Sequence, residues 1–276
     1  MRPAAVLRRA TEYLGRHGVE SPEASAERLL LHVLGTDRAG LHTRARGLDA
    51  REARAFGRAL CQRCSGTPLQ HLTGEQAFRS LVLEVRPGVF VPRPETEVLV
   101  ERALEALGTR EDPVVVDVGT GTGAIALAIK DERPGATVIA TDRSPDAVEL
   151  ARANAERLGL EIRVLEGALL DPVPPELRGW VDLVVSNPPY VTPEEYEGLP
   201  PEVRADPRES LVGDVSIYER LADQASRWLG GGGVFAVEIA ASRGDVVAEV
   251  LSQSFSDVRV ERDLAGRDRV ALARRR

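Results

Sequence analysis

Lysine, cysteine, long apolar runs and any excess of positive charge are all scarce in this 276-residue sequence, and each scarcity removes a class of function. Lys130 is the one lysine; every other basic side chain of the Lys/Arg set is arginine. So uniform a bias follows from genome base composition as readily as from phosphate binding, and no anion site is read into it. The formal charge is −7 with a pI near 5.4, which argues against broad, charge-driven binding to nucleic acid and favours protein or small-molecule partners. There is no run of about 18 apolar residues and no charged leader followed by an apolar segment, so neither membrane spanning nor secretion is indicated. A cytoplasmic protein is expected. Cys61 and Cys64 are the two cysteines. Their C-x-x-C spacing is open to redox or zinc chemistry, but no second cysteine pair or histidine pair accompanies it and no thioredoxin-like strand precedes it. Two thiols one helical turn apart is the favoured reading. His17, His32, His42 and His71 are scattered without ligand spacing, and no metal is expected.

What is present is enough chain, 43% of it hydrophobic, for one large domain and a small one. Residues 1 to about 64 read as helices. Ala5, Leu7, Tyr13 and Leu14 recur at helical spacing, as do Ala24, Ala26, Leu29, Leu30 and Val33, with Ser21 as an N-cap before Pro22 and a further helix from Asp49 to about Arg63. In "EQAFRSLVLEVRPGVFVPRPETE" (75–97), Leu81, Leu83 and Val85 alternate with polar or smaller residues before a Pro-Gly turn, the pattern of a hairpin. The expected organisation is a helical domain over 1–70 serving interaction or support, a hairpin linker over 71–93 and a larger domain over 94–276.

In that larger domain strands at 113–119, 137–142, 161–167, 180–187 and 233–239 alternate with helices at about 123–131, 145–158, 217–229 and 244–252, and two short strands near 258–262 and 269–273 end the chain. Such alternation means an α/β, doubly wound and mostly parallel sheet. Ligands of these sheets bind beyond the carboxyl ends of the strands.

"DVGTGTGAIALAI" (117–129) occupies that position. Gly119, Gly121 and Gly123 allow a tight turn and a close approach of backbone to ligand, with Thr120 and Thr122 between them. The spacing is G-x-G-x-G, not the dinucleotide fingerprint G-x-G-x-x-G, which makes NAD a poor match. Asp142, ending the next strand, can accept hydrogen bonds from two ribose hydroxyls and would repel a 2′-phosphate. Asp117, two residues before the glycines, suits a cationic ligand. S-adenosylmethionine combines a sulfonium, an ammonium and a ribose with no phosphate, and is favoured over a nucleotide or an empty structural turn.

"SNPPY" (186–190) ends the fourth strand, expected beside the first. Pro188 biases Asn187 toward an extended conformation and leaves its own carbonyl free, so the Asn187 side-chain oxygen and the Pro188 carbonyl can grip both hydrogens of a planar NH2 group. Hydrogen bonds that strengthen as positive charge develops on that nitrogen favour the transition state. Tyr190, exposed-looking in the sequence, can stack on the planar group. The plain alternative is an Asn-Pro turn with a packed tyrosine.

Together with "PLQHLTGEQAF" (68–78), "VPRPETE" (91–97) and "TDRSPDAVELARANA" (141–155), these motifs closely resemble the HemK-type protein-(glutamine-N5) methyltransferases along nearly the whole chain. The resemblance implies a Rossmann-like class I methyltransferase sheet with an antiparallel C-terminal strand and a small helical bundle before it. It implies transfer of a methyl group from S-adenosylmethionine, leaving S-adenosylhomocysteine, to the glutamine of the Gly-Gly-Gln loop in class 1 peptide-chain release factors, in support of translation termination. Asp117, Gly119 to Gly123, Asp142, Leu169 and Asn187 would contact the cofactor, and Asn187, Pro188, Pro189 and Tyr190 the substrate, with Asn187, Pro188 and Tyr190 catalytic. Pro92, Arg93 and Glu95 would lie by the pocket mouth, where Arg93 is equally suited to pair with Glu95 or Glu97. NPPY is shared with adenine-N6 DNA methyltransferases, so an exocyclic amine of DNA or RNA is the alternative substrate. Two departures stand out. Ala168 occupies a position usually acidic, with Asp171 nearby as a substitute, and the segment near Gly213 is shortened. No DNA or membrane partner is expected, and nothing demands more than a monomer.

Overall fold

A computed structural model describes residues 3–276. Its contacts divide them into two compact units, one running up to Glu75 together with 199–205, the other 76–198 with 206–276.

The first unit is helical: α1 (Pro3–Arg16), α2 (Pro22–Leu34), α3 (Arg38–Thr43), α4 (Ala50–Cys64) and α5 (Leu69–Thr73). Ala10, Leu14, Ala26, Leu29, Leu30, Leu41 and Phe56 form its core, as helical spacing of apolar residues requires. Asp49 and Glu52 close a reciprocal capping box at the start of α4. Ser21 departs from expectation. It sits at φ 47°, left-handed, and its hydroxyl caps nothing; Pro22 and the Ser21 carbonyl, which accepts from the Ser25 N–H, start α2 instead. Tyr13 also departs, lying exposed beside the buried Leu14. Residues 199–205 join this unit through Glu202, which pairs with the buried Arg63 at 2.5 Å.

The second unit begins with the hairpin β1 (Glu75–Phe78) and β2 (Leu81–Glu84), whose Leu81 and Leu83 are buried while Val82 faces out. Then follow α6 (Thr96–Leu107), β3 (Val114–Val118), α7 (Ala124–Glu132), β4 (Thr137–Asp142), α8 (Pro145–Leu158), β5 (Arg163–Glu166), β6 (Val181–Ser186), α9 (Pro193–Glu197), α10 (Arg208–Leu211), α11 (Ser216–Trp228), β7 (Leu229–Glu238), α12 (Gly244–Ser252), β8 (Phe255–Arg262) and β9 (Asp268–Arg275). The sheet order is β5-β4-β3-β6-β7-β9-β8, parallel from β5 to β7, with β9 antiparallel to both its neighbours.

Both faces of this sheet are covered, which is why β3 and β6 read as nearly unbroken apolar runs. Val115, Leu183 and Ala236 point into one core with α6, α7 and α8; Val116, Val184 and Phe235 point into the other with α11 and α12. The strand order reverses direction between the paired strands β3 and β6, which makes their carboxyl ends the topological switch point where ligands of such sheets bind. Among the described residues no helix is long and apolar enough to cross a membrane.

Candidate functional site

The expected site residues gather at that carboxyl edge. β3 ends in the glycine turn, β4 in Asp142, β5 leads to Leu169, and β6 ends in Asn187 to Tyr190. Gly119, Gly121 and Gly123 all have φ between 57° and 86°, the left-handed region that side chains avoid. At Gly119 and Gly121 a Cβ would meet no atom within 4 Å, so there the backbone borders open space; at Gly123 it would press on Leu127 and Ala151, so helix packing also demands glycine.

The turn is braced from three sides. The Thr141 carbonyl accepts from the N–H groups of both Gly119 and Thr120, at 2.9 and 3.0 Å. Asp142 accepts from the Gly121 N–H with one carboxylate oxygen and from the Ser144 N–H with the other, both at 2.9 Å. From α8, the wholly buried Asn154 donates to the Thr122 and Glu84 carbonyls at 3.0 Å, tying turn to hairpin. Leu169 is held at φ 50°, its carbonyl accepting from the Thr141 hydroxyl at 2.7 Å. Asp171 does not turn toward this crevice residue set: it accepts from Gln224, whose own amide oxygen holds the Leu170 N–H.

Asp117 lies beneath the turn, fully buried. One carboxylate oxygen accepts from the Thr120 hydroxyl at 2.6 Å and from the Ala126 N–H at 3.2 Å; among the described residues the other has no partner, and neither does the buried Thr122 hydroxyl. Burial pushes the Asp117 carboxyl up to about 7, against the pull of those two donors. A buried acceptor just before an open-faced turn and a buried hydroxyl within it, both unsatisfied, call for polar ligand atoms.

The Asn187 amide nitrogen donates to the Thr96 hydroxyl at 3.1 Å, and its oxygen accepts no hydrogen bond among the described residues. The Pro188 carbonyl also accepts none among the described residues, so the next residue along the chain offers a second free acceptor. Tyr190 differs from its exposed look. It is half-buried, packs against the core and donates its hydroxyl to Glu238 at 3.2 Å. Pro189 is fixed from behind: a Cβ on Gly213 would lie 2.1 Å from its carbonyl oxygen.

Three contributors escaped the sequence reading. Thr96 lies inside "VPRPETE" with no visible partner; Glu238 is a lone charge at the end of an apolar strand, a signal that was available; Asp206 pairs with Arg93 and accepts from the Val91 N–H. Arg93 therefore joins neither Glu95 nor Glu97; it sits over the Phe90 ring, 5.2 Å from the centroid. Cys61 and Cys64 are free thiols. Among the described residues no cluster of three or more His, Cys, Asp or Glu side chains forms a metal cage.

With this geometry established, the comparisons with known proteins are informative. Residues 5–74 match the PrmC N-terminal domain and residues 83–199 the methyltransferase small domain. A protein of Mycolicibacterium smegmatis named release factor glutamine methyltransferase is 44% identical over 96% of this chain and 95% of its own length. The chain belongs to the release factor glutamine methyltransferase family. A member from Deinococcus radiodurans is 42% identical over 98% of this chain and 97% of its own. Among solved structures, the fold resembles the T. thermophilus 16S rRNA N2 methyltransferase solved with AdoMet and guanosine, with a TM-score of 0.56, 21% identity and coverage of 73% of this chain and 50% of that one. A methyltransferase from Pyrococcus furiosus gives 0.53 at 23% identity, covering 72% and 90%. Those two likenesses speak for the methyltransferase fold; family membership rests on the near full-length relatives.

Proposed function

We propose that the chain transfers a methyl group from S-adenosylmethionine to the side-chain amide nitrogen, N5, of a glutamine in a class 1 peptide-chain release factor, the glutamine of its Gly-Gly-Gln motif. The observation that carries this reading is the pair of free acceptors at Asn187 and Pro188, held beside the glycine turn in a chain whose near full-length relatives bear that name.

The residues fit the cofactor. The unpartnered oxygen of Asp117 suits an ammonium, the unpartnered Thr122 hydroxyl suits a carboxylate, and Asp142 keeps lone pairs for ribose hydroxyls beyond the two it gives to backbone donors. Gly119 and Gly121 let the backbone approach without a side chain in between, with Thr120 and Leu169 shaping the turn and its flank. When bound, S-adenosylmethionine supplies an electrophilic methyl on a sulfonium.

The protein's own part is orientation and charge stabilisation. An amide nitrogen is a poor nucleophile because its lone pair is delocalised into the carbonyl. The Asn187 oxygen and the Pro188 carbonyl accept its two hydrogens, and both bonds strengthen as that nitrogen becomes positive. Tyr190, anchored through its hydroxyl, limits the tilt of the planar group, and Pro189 keeps the loop rigid. The proton leaves to solvent after transfer. Such a substrate places the enzyme in the cytoplasm, and the helical first unit is the surface we assign to substrate interaction.

Labelled methyl transfer tests this reading by offering the enzyme purified release factor, duplex DNA and RNA in parallel. Label should appear in release factor alone and fall at least about 100-fold in Asn187→Ala with cofactor bound. Label in nucleic acid, or an Asn187→Ala enzyme near wild-type rate, would contradict it.

A further inference from the structure

A side-chain amide has two ends of almost equal shape and opposite chemistry, and only its oxygen can accept from a substrate NH2 group. Nothing in the NPPY sequence selects which end of Asn187 faces the crevice. In the structure the choice is made by Thr96, the first residue of α6, whose buried hydroxyl receives the Asn187 nitrogen at 3.1 Å. A hydroxyl can donate as well as accept. Were Thr96 to donate to Asn187, the amide would turn and offer its NH2 to the substrate, and of the two acceptors only the Pro188 carbonyl would remain.

Glu238 removes that ambiguity. Ser186 pairs with Val237 across the parallel strands β6 and β7, so Asn187 and Glu238 are level at the carboxyl edge of the sheet. The Glu238 carboxyl is buried: among the described residues one oxygen accepts from the Tyr190 hydroxyl at 3.2 Å and the other has no hydrogen-bond partner, while the neighbouring Thr96 hydroxyl and Arg269 favour its charge. An ionised carboxylate draws the Thr96 hydrogen to itself, which leaves the Thr96 oxygen as an acceptor. The same carboxylate holds the Tyr190 hydroxyl, so both walls of the substrate pocket hang from one buried charge.

We propose that Thr96 and Glu238 are positioning residues for methyl transfer, fixing the Asn187 amide with its oxygen turned to the substrate nitrogen. The inference rests on the methyl-transfer reading of the site. The groups facing Glu238 are Glu95, which caps α6, Thr96 from α6, Tyr190 from the loop after β6, Arg269 from β9, and Tyr218 from α11, whose hydroxyl meets the Glu238 backbone carbonyl at 3.4 Å. Burial outweighs the hydroxyls and Arg269 and raises the carboxyl to about 7. Its charge, and the Thr96 orientation with it, is therefore lost as pH falls through that value. Asp117 titrates in the same range, so the wild-type profile alone does not isolate Glu238, and a variant at position 238 is needed.

The test compares wild type, Thr96→Val, Thr96→Ser and Glu238→Gln, with cofactor binding by calorimetry and initial rates on purified release factor at saturating cofactor. Valine keeps the volume and removes the acceptor; serine restores it. Thr96→Val should lower kcat roughly tenfold or more, with cofactor affinity and KM for release factor changed about twofold at most, and Thr96→Ser should recover most of the rate. Wild-type kcat should rise between about pH 6 and 8, and Glu238→Gln should be slow and flat across that range. A wild-type kcat in Thr96→Val, a serine variant no faster than the valine one, or a Glu238→Gln enzyme with the wild-type pH rise would each overturn the proposal. Wild type failing to methylate release factor would overturn the underlying reading and this inference together, whereas an active wild type matched by Thr96→Val overturns the inference alone.

Discussion

Asp117 shows how much one side chain carries at this site. Its carboxyl is buried beneath the glycine turn, raised to about 7, and retains one oxygen without a partner. Raised means that the neutral form is favoured before ligand arrives. A ligand ammonium placed against the free oxygen favours the ionised form, so cofactor binding should expel a proton and tighten as pH rises from about 6 to 8. Calorimetry in buffers of different ionisation enthalpy measures that proton directly. Asp117→Asn should weaken cofactor binding by about 1.5–3 kcal/mol and abolish the pH dependence; a variant that keeps both the affinity and its slope would rule out this role. Asp117, Asp142 and Asn187 stand out in the sequence because each lies at or just past the carboxyl end of a strand of recognisable pattern. Thr96 and Glu238 do not. Their partnership with Asn187 depends on the register of β6 on β7 and on where α6 begins, and no local spacing encodes either.

Elements show a similar division. The sequence reading matches β4 and α8 to the residue, since Asp142 ends one and Ser144, Pro145 and Gly159 bound the other: Ser144 accepts from the Ala147 N–H and Gly159 takes the left-handed C-cap. β7 starts earlier than expected, at Leu229, which pairs with Val181 ahead of a register irregularity; glycines 230–233 fill that irregularity and read as a loop in the sequence. The short helices α3 and α5 span too little chain to show a period. The shortened segment near Gly213, after α10, reads in the sequence as a change in how the protein substrate docks. In the structure Val191 accepts from the Gly213 N–H and donates to the Leu211 carbonyl, both at 2.9 Å, which brings Gly213 against Pro189. Gly213→Ala would drive a methyl into the Pro189 carbonyl and displace the loop. It should cost about 1–3 kcal/mol of stability and slow methylation more than it weakens cofactor binding; an alanine variant with wild-type kcat would show that the contact is slack. Chemical denaturation and initial rates read the two effects separately.

At the scale of the molecule, alternation of strands and helices was sufficient to read a doubly wound sheet, and placing the glycine turn beside NPPY followed from that topology. The strand order β5-β4-β3-β6-β7-β9-β8 realises it: Asp142, the glycine turn, Asn187 and Glu238 stand on consecutive strands along one edge. Sequence separation is large, yet the sheet makes them neighbours. Glutamine as the acceptor was legible only through family-specific strings outside this edge, "PLQHLTG" and "VPRPETE". The structure gives part of the second a physical task, since Thr96 orients Asn187 and Arg93 pairs with the buried Asp206. The central claim is that these parts act together on one amide nitrogen. Mass spectrometry of purified class 1 release factor, digested after incubation with enzyme and S-adenosylmethionine, tests it most directly. A single added methyl on the glutamine of the Gly-Gly-Gln peptide, dependent on both enzyme and cofactor, is predicted; an unmodified glutamine, or methyl located on another residue, would contradict the account.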